Sequence, residues 1–538
     1  MTTFGIDLGT TYSCIAFVDD SGRATIIKNA LGEDTTPSVV YFESADSAVV
    51  GRVAKNSAKL DPDLVVSLIK RQMGEDVTLE FHGEVHTPET VSALILRELV
   101  RSAELAGHKV EDAVITVPAY FGVAQREATR NAGRIAGLNV LNVVPEPVAA
   151  ALHYEAMGTG EDRTILVFDL GGGTFDTTVI KLAGNSIQVV CTDGDYHLGG
   201  ADWDEKIADF LLARFMDEHP GSAAGDSEDF IQDLSTVAEE IKKSLSFAQS
   251  YKHPMRFDGA VCRAVITRAE FESLASELLE RAMDITERTI GTARQAGITK
   301  FDDVLLVGGS THAPVVAARL RERFGLDPKL HDPDQAVAKG AALFALIESV
   351  KISLPEKSGD GSQAKISDEE VEKVADKLGI TAEKVRKLAV TKVATVVPRA
   401  FGICVLDRED GDESTYSISH ILEANRRLPA TETKRYSTAH DDQVAIKIEI
   451  WEQAGAVSSS DLADNNKIGE ELITGLPPLK KGSPIDVTFA MNETGLLRVE
   501  AVELVTGKKL QIELQIQGMT EAQVSEARSA LANYAVGN

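Results

Sequence analysis

From Phe4 to about residue 350 the chain alternates short β-branched apolar runs with longer stretches whose apolar residues recur every three or four positions. Residues 114–117 and 165–168 predict buried strands, and residues 201–216 and 271–293 predict amphipathic helices. Such alternation predicts an α/β domain spanning residues 1–350. Lys, Ser, Gly and Asp then dominate residues 351–366, the texture of a flexible linker. Ser367 and Glu370 form a capping box before the apolar stripe of Val371, Val374, Ala375 and Leu378. Gly379 ends that helix, and Thr381 caps a second one bearing Val385 and Leu388, so residues 351–392 are expected to be a linker plus a helical hairpin. Beyond Pro398 the period changes to two, in 445–450, 485–489 and 510–514, separated by Gly and Asn turns. This predicts an antiparallel β-sandwich over 393–518. One short helix, 520–534, is expected in the terminal segment 519–538.

One pattern occurs twice. Gly5-Ile6-Asp7-Leu8-Gly9-Thr10-Thr11 returns as Val167-Phe168-Asp169-Leu170-Gly171-Gly172-Gly173-Thr174. Each copy is an apolar strand ending in Asp, a Gly-bearing turn and Thr, which predicts a duplicated half-domain with two facing turns. Glycine lets backbone N–H groups approach an oxyanion without Cβ obstruction, and successive N–H groups make an anion-binding nest. Asp7 and Asp169 would repel a phosphate, so they make sense with a divalent cation between, held through waters as Mg²⁺ usually is. A third turn, Leu306-Val307-Gly308-Gly309-Ser310-Thr311, adds to the pattern. Glu146 lies between Pro145 and Pro147, a rigid acid at a strand end. Lys70 reads, by itself, as a solvated lysine, and Glu239, Lys242 and Ser246 share one face of a helix.

Charge narrows the classes of partner. With 55 Lys and Arg against 83 Asp and Glu, the net charge of −28 argues against nucleic acid and anionic membranes. The four cysteines, Cys14, Cys191, Cys262 and Cys404, are far apart, which points to reduced thiols rather than a metal or redox motif. No apolar run approaches the roughly 18 residues that span a bilayer, and no secretory pattern precedes Phe4, so a cytoplasmic protein is expected.

Several runs together resemble one family. They are Gly5 to Cys14, Thr35-Thr36-Pro37-Ser38, Val117-Pro118-Ala119-Tyr120-Phe121, Asp169 to Asp176, His197-Leu198-Gly199-Gly200 and Gly308-Gly309-Ser310-Thr311. Residues 4–345 are similar to the ATPase domain of the seventy-kilodalton heat-shock chaperones, within the actin and sugar-kinase fold. More loosely, residues 393–516 resemble that family's β substrate domain, through Phe401-Gly402-Ile403, Tyr436-Ser437-Thr438-Ala439, Asp464-Asn465-Asn466-Lys467 and Gly475-Leu476-Pro477-Pro478. The resemblance implies an ATPase that binds ATP or ADP with Mg²⁺ and takes up extended apolar segments of unfolded proteins. It also implies a J-domain co-chaperone and a nucleotide exchange factor as partners. By position, Asp7, Asp169 and Asp176 would order the metal. Gly9, Thr10, Thr11, Tyr12, Gly171, Gly172, Gly173 and Thr174 would surround the phosphates, Thr174 also in a catalytic role. Lys70 and Glu146 would place the attacking water and neutralise charge on the γ-phosphoryl group. Gly200, Glu239, Lys242, Lys243, Ser246, Gly308, Gly309, Ser310, His312 and Asp334 would enclose the rest of the nucleotide. Ile403, Val405, Leu406, Tyr436, Ile446, Ile448 and Ile485 would line a peptide groove, although ordinary core packing would produce the same alternation.

The departures from the family pattern set further expectations. His312 stands where an adenine-stacking Arg is usual, which implies weaker nucleotide binding. Pro145 and Val148 replace Asn and Thr around Glu146, and Ala201 replaces an acid. The usual acidic, leucine-rich linker gives way to residues 393–398, and no lid is expected from a single helix after the β domain. The hairpin has helix-turn-helix spacing with Lys384, Arg386 and Lys387 on its second helix, but docking on the ATPase domain or a partner is the expected role rather than DNA reading. Two other functions fit the same residues. One is a small-molecule kinase of this fold, and the other is a holdase or exchange-factor-like protein with little hydrolysis.

Overall fold

Phe4–Asp7 is the middle strand of the first sheet in the computed structural model, which describes residues 3–156, 161–354, 367–410, 413–455, 458–513, 519–532 and 534–537. The sheet order is Asn139–Pro145, Asp112–Val117, Phe4–Asp7, Tyr12–Val18, Ala24–Ile27. Its first three strands are parallel, and the hairpin from Phe4–Asp7 into Tyr12–Val18 is antiparallel. The second sheet repeats this plan around Arg163–Leu170, which is parallel to Asp303–Val307 and antiparallel to Phe175–Ala183. Each sheet founds one lobe. The predicted duplication is therefore a duplication of topology, and it brings two Asp–Gly–Thr turns to the same cleft. Ala336–Ser353 is apolar on nearly every side and packs between Glu146–Ala156 and the first sheet, as an all-round hydrophobic helix must.

Most predicted elements are present, with shifted edges. The long helix expected over 271–293 is two helices, Arg268–Leu274 and Ser276–Gln295, divided at Ala275. Ala336–Ser353 runs past the expected boundary at 350, and residues 355–366 of the expected linker lie outside the described residues. The hairpin forms as Asp368–Leu378 and Ala382–Ala389, with the Ser367–Glu370 box in place and Gly379 at φ 68°. It docks on the ATPase domain: Val385 is fully buried among Val350, Val371, Val374 and Ala375. Lys384 Nζ donates to the Gly22 carbonyl at 3.1 Å and Arg386 to Asp368 at 2.7 Å, so two of the three basic side chains proposed for DNA are engaged within the chain.

Immediately after the hairpin, Lys392–Ala394 joins the second sheet as an edge strand parallel to Ser186–Asp195. Val397 N donates to the Arg426 carbonyl at 2.8 Å and Leu428 N to the Thr395 carbonyl at 3.0 Å, which passes the chain into the β domain. A division at 393 therefore cuts through a strand of the ATPase lobe. The β domain is two antiparallel four-stranded sheets. One has the order Glu413–Leu422, Phe401–Asp410, Ile446–Gln453, Asn465–Ile473, and the other Ala430–Ser437, Pro484–Met491, Leu497–Glu503, Lys509–Glu513. Inward side chains of both share one core.

The terminal helix, Glu521–Ala532, ends before residue 534, and a strand, Ala535–Gly537, follows it. Both lie on the first lobe. The strand pairs in parallel with Ser47–Val50, and Val524, Leu531 and Tyr534 complete the first lobe's core. No helix among the described residues is long and apolar enough to cross a membrane.

Candidate functional site

The two turns meet face to face in a cavity of about 580 Å³ between the lobes. A Cβ on Gly172 would lie 1.9 Å from Thr11 Oγ1, and one on Gly173 would lie 2.3 Å from Thr10 Cγ2. Only glycine permits this approach. Gly171 N donates to the Thr174 carbonyl at 3.0 Å and closes the second turn, and Ser13 Oγ accepts from Gly9 N at 3.1 Å in the first. Gly9, Thr10, Thr11, Tyr12, Gly171, Gly172 and Thr174 all line the cavity, and Gly173 supports it from behind.

Carboxylates gather at the floor. Asp169 and Asp176 are directly opposite one another across an antiparallel pair, an arrangement unfavourable for like charges. Burial, reinforced by Glu146, raises the pKa of Asp7 and of Asp176 to about 7 each, and it raises that of Asp169 well above the usual carboxylate range. Asp7 accepts from Thr116 Oγ1 at 3.1 Å. Asp176 does not line the cavity; it accepts from the backbone N–H groups of Ala119 and Tyr120 at 3.1 and 3.2 Å. Lys70 is the cation beside them. Its side chain is 4% exposed and its ammonium donates to Glu146 Oε1 at 2.6 Å, so it is a buried ion-paired lysine rather than a solvated one. The carboxyl groups of Asp7, Glu146, Asp169 and Asp176 thus gather around one ammonium, a set of hard oxygen donors that suits Mg²⁺. Among the described residues, no group of three or more His, Cys, Asp or Glu side chains is placed to hold a metal ion directly.

Glu239, Lys242 and Lys243 project from Glu228–Leu245, with Ser246 as its C-cap. Burial opposes the charge on Glu239, but Lys55 and Lys243 outweigh it and hold its pKa down at about 2. Tyr12 Oη donates to Glu239 at 2.9 Å and accepts from Lys243 Nζ at 2.9 Å, so the two lobes are clasped at the cavity mouth. Lys242 Nζ donates to the Gly200 carbonyl at 2.6 Å and to Asp204 at 2.7 Å. Gly200 thus supports Lys242 instead of lining the cavity. Gly308, Gly309 and Ser310 form the opposite wall, where His312 Nε2 meets Asp334 Oδ2 at 3.1 Å.

Several contributors were not foreseen. Arg71, next to Lys70, donates to the Gly173 carbonyl at 2.9 Å and makes a two-pronged pair with Asp202 at 3.2 and 2.6 Å, which fastens the lobes beside the second turn. Lys55, Cys14, Asp204 and Phe247 also belong to the site. Sequence offered a signal for Arg71, adjacent to Lys70, for Cys14, the last residue of the first motif, and for Phe247, adjacent to Ser246; Lys55 and Asp204 join through partners distant in sequence.

The seven side chains expected to line a peptide groove do not form an open one. Ile403, Ile446, Ile448 and Ile485 are each 4% exposed and pack in the sandwich core. Val405 and Tyr436 are half-buried against that core, and Tyr436 Oη bonds Ser419 Oγ at 3.0 Å. Leu406 is on the other face, because side chains alternate along Phe401–Asp410. The expectation took in both faces of this strand.

The family model described as Hsp70 protein matches residues 3–81, 75–356 and 382–535, and so covers nearly the whole chain apart from 357–381. With two duplicated lobes closing on facing phosphate-type turns and a β-sandwich appended, the chain belongs to the Hsp70 family, whose members are chaperone-type ATP-binding proteins.

Proposed function

We propose that this chain hydrolyses Mg-ATP in the interlobe cavity and uses its β domain to bind extended apolar segments of unfolded proteins. The observation that carries the proposal is the buried Lys70–Glu146 pair, 2.6 Å apart, at the end of a cavity where two glycine turns face each other. Phosphoryl transfer asks the protein mainly for positioning and electrostatic stabilisation. The backbone N–H groups and hydroxyls of Thr10, Thr11 and Thr174 hold the β- and γ-phosphates. The Lys70 ammonium, kept in place by Glu146, neutralises charge that develops on the γ-phosphoryl oxygens, and Glu146 orients the attacking water. Asp7 and Asp169, with Asp176 behind them, would hold a hydrated Mg²⁺, which would supply charge neutralisation to the phosphates. Glu239, Lys242, Ser246, Gly309 and Ser310 enclose the nucleoside.

For the β domain, the family match supports peptide binding. Val405, Leu406 and Tyr436, the half-buried members of the set, are the ones that a peptide reaches first. A J-domain co-chaperone and an exchange factor are the partners that such a cycle uses. Steady-state hydrolysis of Mg-ATP, measured with and without a reduced unfolded polypeptide, tests the proposal. Slow hydrolysis stimulated by the polypeptide is expected. ATP binding without turnover would favour a holdase, and phosphate transfer to sugars would favour a kinase.

A further inference from the structure

The strand Ala535–Gly537 is separated from the cavity mouth by very little structure. It is the outer strand of a sheet with the order Ala535–Gly537, Ser47–Val50, Val40–Ser44, Val65–Val66. Ala535 pairs with Ser47 and Gly537 with Val49, and Ala535 N donates to the Asp46 carbonyl at 2.9 Å. Tyr534 pins this strand in place. Its buried ring stands edge-on to His86, and its hydroxyl donates to the Ser44 carbonyl at 3.2 Å. Arg97 grips the same segment by donating to the Leu531 and Tyr534 carbonyls. Without the outer strand, three strands of two to five residues remain, close to the smallest sheet that holds together.

Ser47–Val50 passes through Gly51 straight into the helix Arg52–Ser57, which packs on the sheet through the fully buried Ala54. That helix meets the second lobe at the mouth. Lys55 pairs with Glu239 and donates to Tyr12 Oη at 3.3 Å, and Lys59, just past the helix, lies 3.5 Å from Asp233. Glu239 and Asp233 both belong to Glu228–Leu245. The Lys59–Asp233 pair is open to solvent and contributes little, so the sheltered Lys55–Glu239 pair is the stronger tie.

We propose that residues 534–537 act as a brake on opening of the interlobe mouth, and so on nucleotide release, by completing the sheet that holds Lys55 against Glu239. Tyr534 is a positioning residue in this arrangement, since it acts through Lys55 and does not reach the cavity. The inference rests on the nucleotide reading of that cavity. A ligand enclosed between two lobes leaves when they part, and an element held by fewer contacts opens more often.

Stopped-flow release of a fluorescent Mg-ADP analogue from the full chain, chased with unlabelled ADP, tests the brake. Tyr534→Ala removes the buried anchor. Ala535→Pro removes only the N–H bonded to Asp46, from an exposed position, and so leaves the core intact. Each should release ADP about three- to tenfold faster than the parent, the scale set by one backbone hydrogen bond. In a Lys55→Ala background, itself fast, neither substitution should add more than about a factor of two, because the tie it acts through is already gone. Parental release rates in both single variants overturn the brake, and full acceleration repeated in the Lys55→Ala background overturns its route through Lys55. If the parent binds no Mg-ADP, the nucleotide reading fails, and hydrogen exchange of the nucleotide-free proteins decides whether the strand governs the mouth. Amides of residues 52–57 should then exchange about three- to tenfold faster in Ala535→Pro than in the parent, and equal exchange overturns the proposal.

Discussion

Lys70 shows what a single residue conceals in sequence. Its counter-ion Glu146 is 76 positions away, and its burial follows from packing that no local pattern records. Asp7 and Asp169 were legible because each sits in a repeated strand–Asp–Gly–Thr unit; Lys70 entered through family resemblance alone. Replacing Lys70 with Ala removes the ammonium facing the γ-phosphoryl position, and Asp169→Asn removes a cation-facing charge. Each should slow hydrolysis by about 100-fold while ATP still binds, measured by single-turnover phosphate release and equilibrium binding. Parental hydrolysis in both variants would refute the site assignment. Asp7 permits a test of stability. Its pKa is raised by burial from an unfolded value of 3.8 to about 7, so the folded state holds a proton that the unfolded chain has released over that interval. Stability from this group is present below about pH 4 and is lost as pH rises towards 7. Asn keeps the Thr116 hydrogen bond without the charge. The nucleotide-free Asp7→Asn protein should therefore melt higher than the parent at pH 8, on the order of 2–4 °C, and the gain should shrink at pH 5.5. Scanning fluorimetry that shows the same gain at both values, or a loss at pH 8, contradicts this account.

Among the elements, strong periodicity was read correctly and tertiary pairing was not. The central strands, the long helices and the hairpin were legible because each buries one face or two in a regular pattern. Lys392–Ala394 and Ala535–Gly537 were missed: three residues make no periodic signal, and each is a strand only because a distant edge accepts it. The groove set mixes both faces for a related reason, since period two marks inward residues without saying whether a core or a ligand covers them. The hairpin has a specific mechanical position. Its second helix is anchored to the first lobe through Val385 and through Lys384 on the Gly22 carbonyl. Leu388 packs in the same cluster as Val393 and Val189, and Lys392 N donates to the Asn185 carbonyl at 2.9 Å on the second lobe. Only Val390 and Thr391 lie between the end of this helix and the start of the strand, so the linker strand cannot leave the sheet edge without straining the hairpin. The family match leaves out 357–381, which includes the whole of Asp368–Leu378. Accordingly the linker should resist limited proteolysis equally with ATP, with ADP and without nucleotide. Val385→Asp, which places a charge in the hairpin's small core, should expose residues 390–398 to cleavage while the ATPase lobes remain folded. If the parent's linker is cut rapidly in ADP, the hairpin does not hold it.

Across the whole molecule, one loop between the lobes and the β domain joins site to sandwich. On one side, Ala119 N and Tyr120 N donate to Asp176 at 3.1 and 3.2 Å. On the other, Tyr120 Oη donates to the Gly455 carbonyl at 2.7 Å, and Val123 N donates to Glu452 at 3.1 Å. Arg399 completes the contact: its guanidinium is 4.5 Å from the Tyr120 ring centre, donates to the Tyr120 carbonyl at 3.0 Å and pairs with Glu452 at 3.7 Å. Both charged side chains are almost wholly buried, and removing one partner of such a pair costs about 3–5 kcal/mol. Arg399→Ala should therefore release the β domain from the lobes, seen as a larger radius of gyration in solution scattering. The same variant addresses peptide exchange. Glu521–Ala532 is not over the sandwich; it packs on Val123–Ile135, with Arg134 paired to Glu521 and Tyr534 buried in the first lobe. With that helix on the first lobe, a peptide at the β domain should be held mainly by side-chain burial, and one leucine filling a pocket contributes about 2–3 kcal/mol. Affinity should be micromolar or weaker, with release in seconds, when a fluorescent leucine-rich peptide is followed by anisotropy. In the parent, the shared loop should make peptide affinity depend on whether ATP or ADP is bound. In Arg399→Ala the two nucleotides should give the same affinity, because Tyr120 no longer connects Asp176 to the sandwich. Release lasting many minutes would show that another element covers the peptide, and a nucleotide effect that survives Arg399→Ala would place the connection outside this loop.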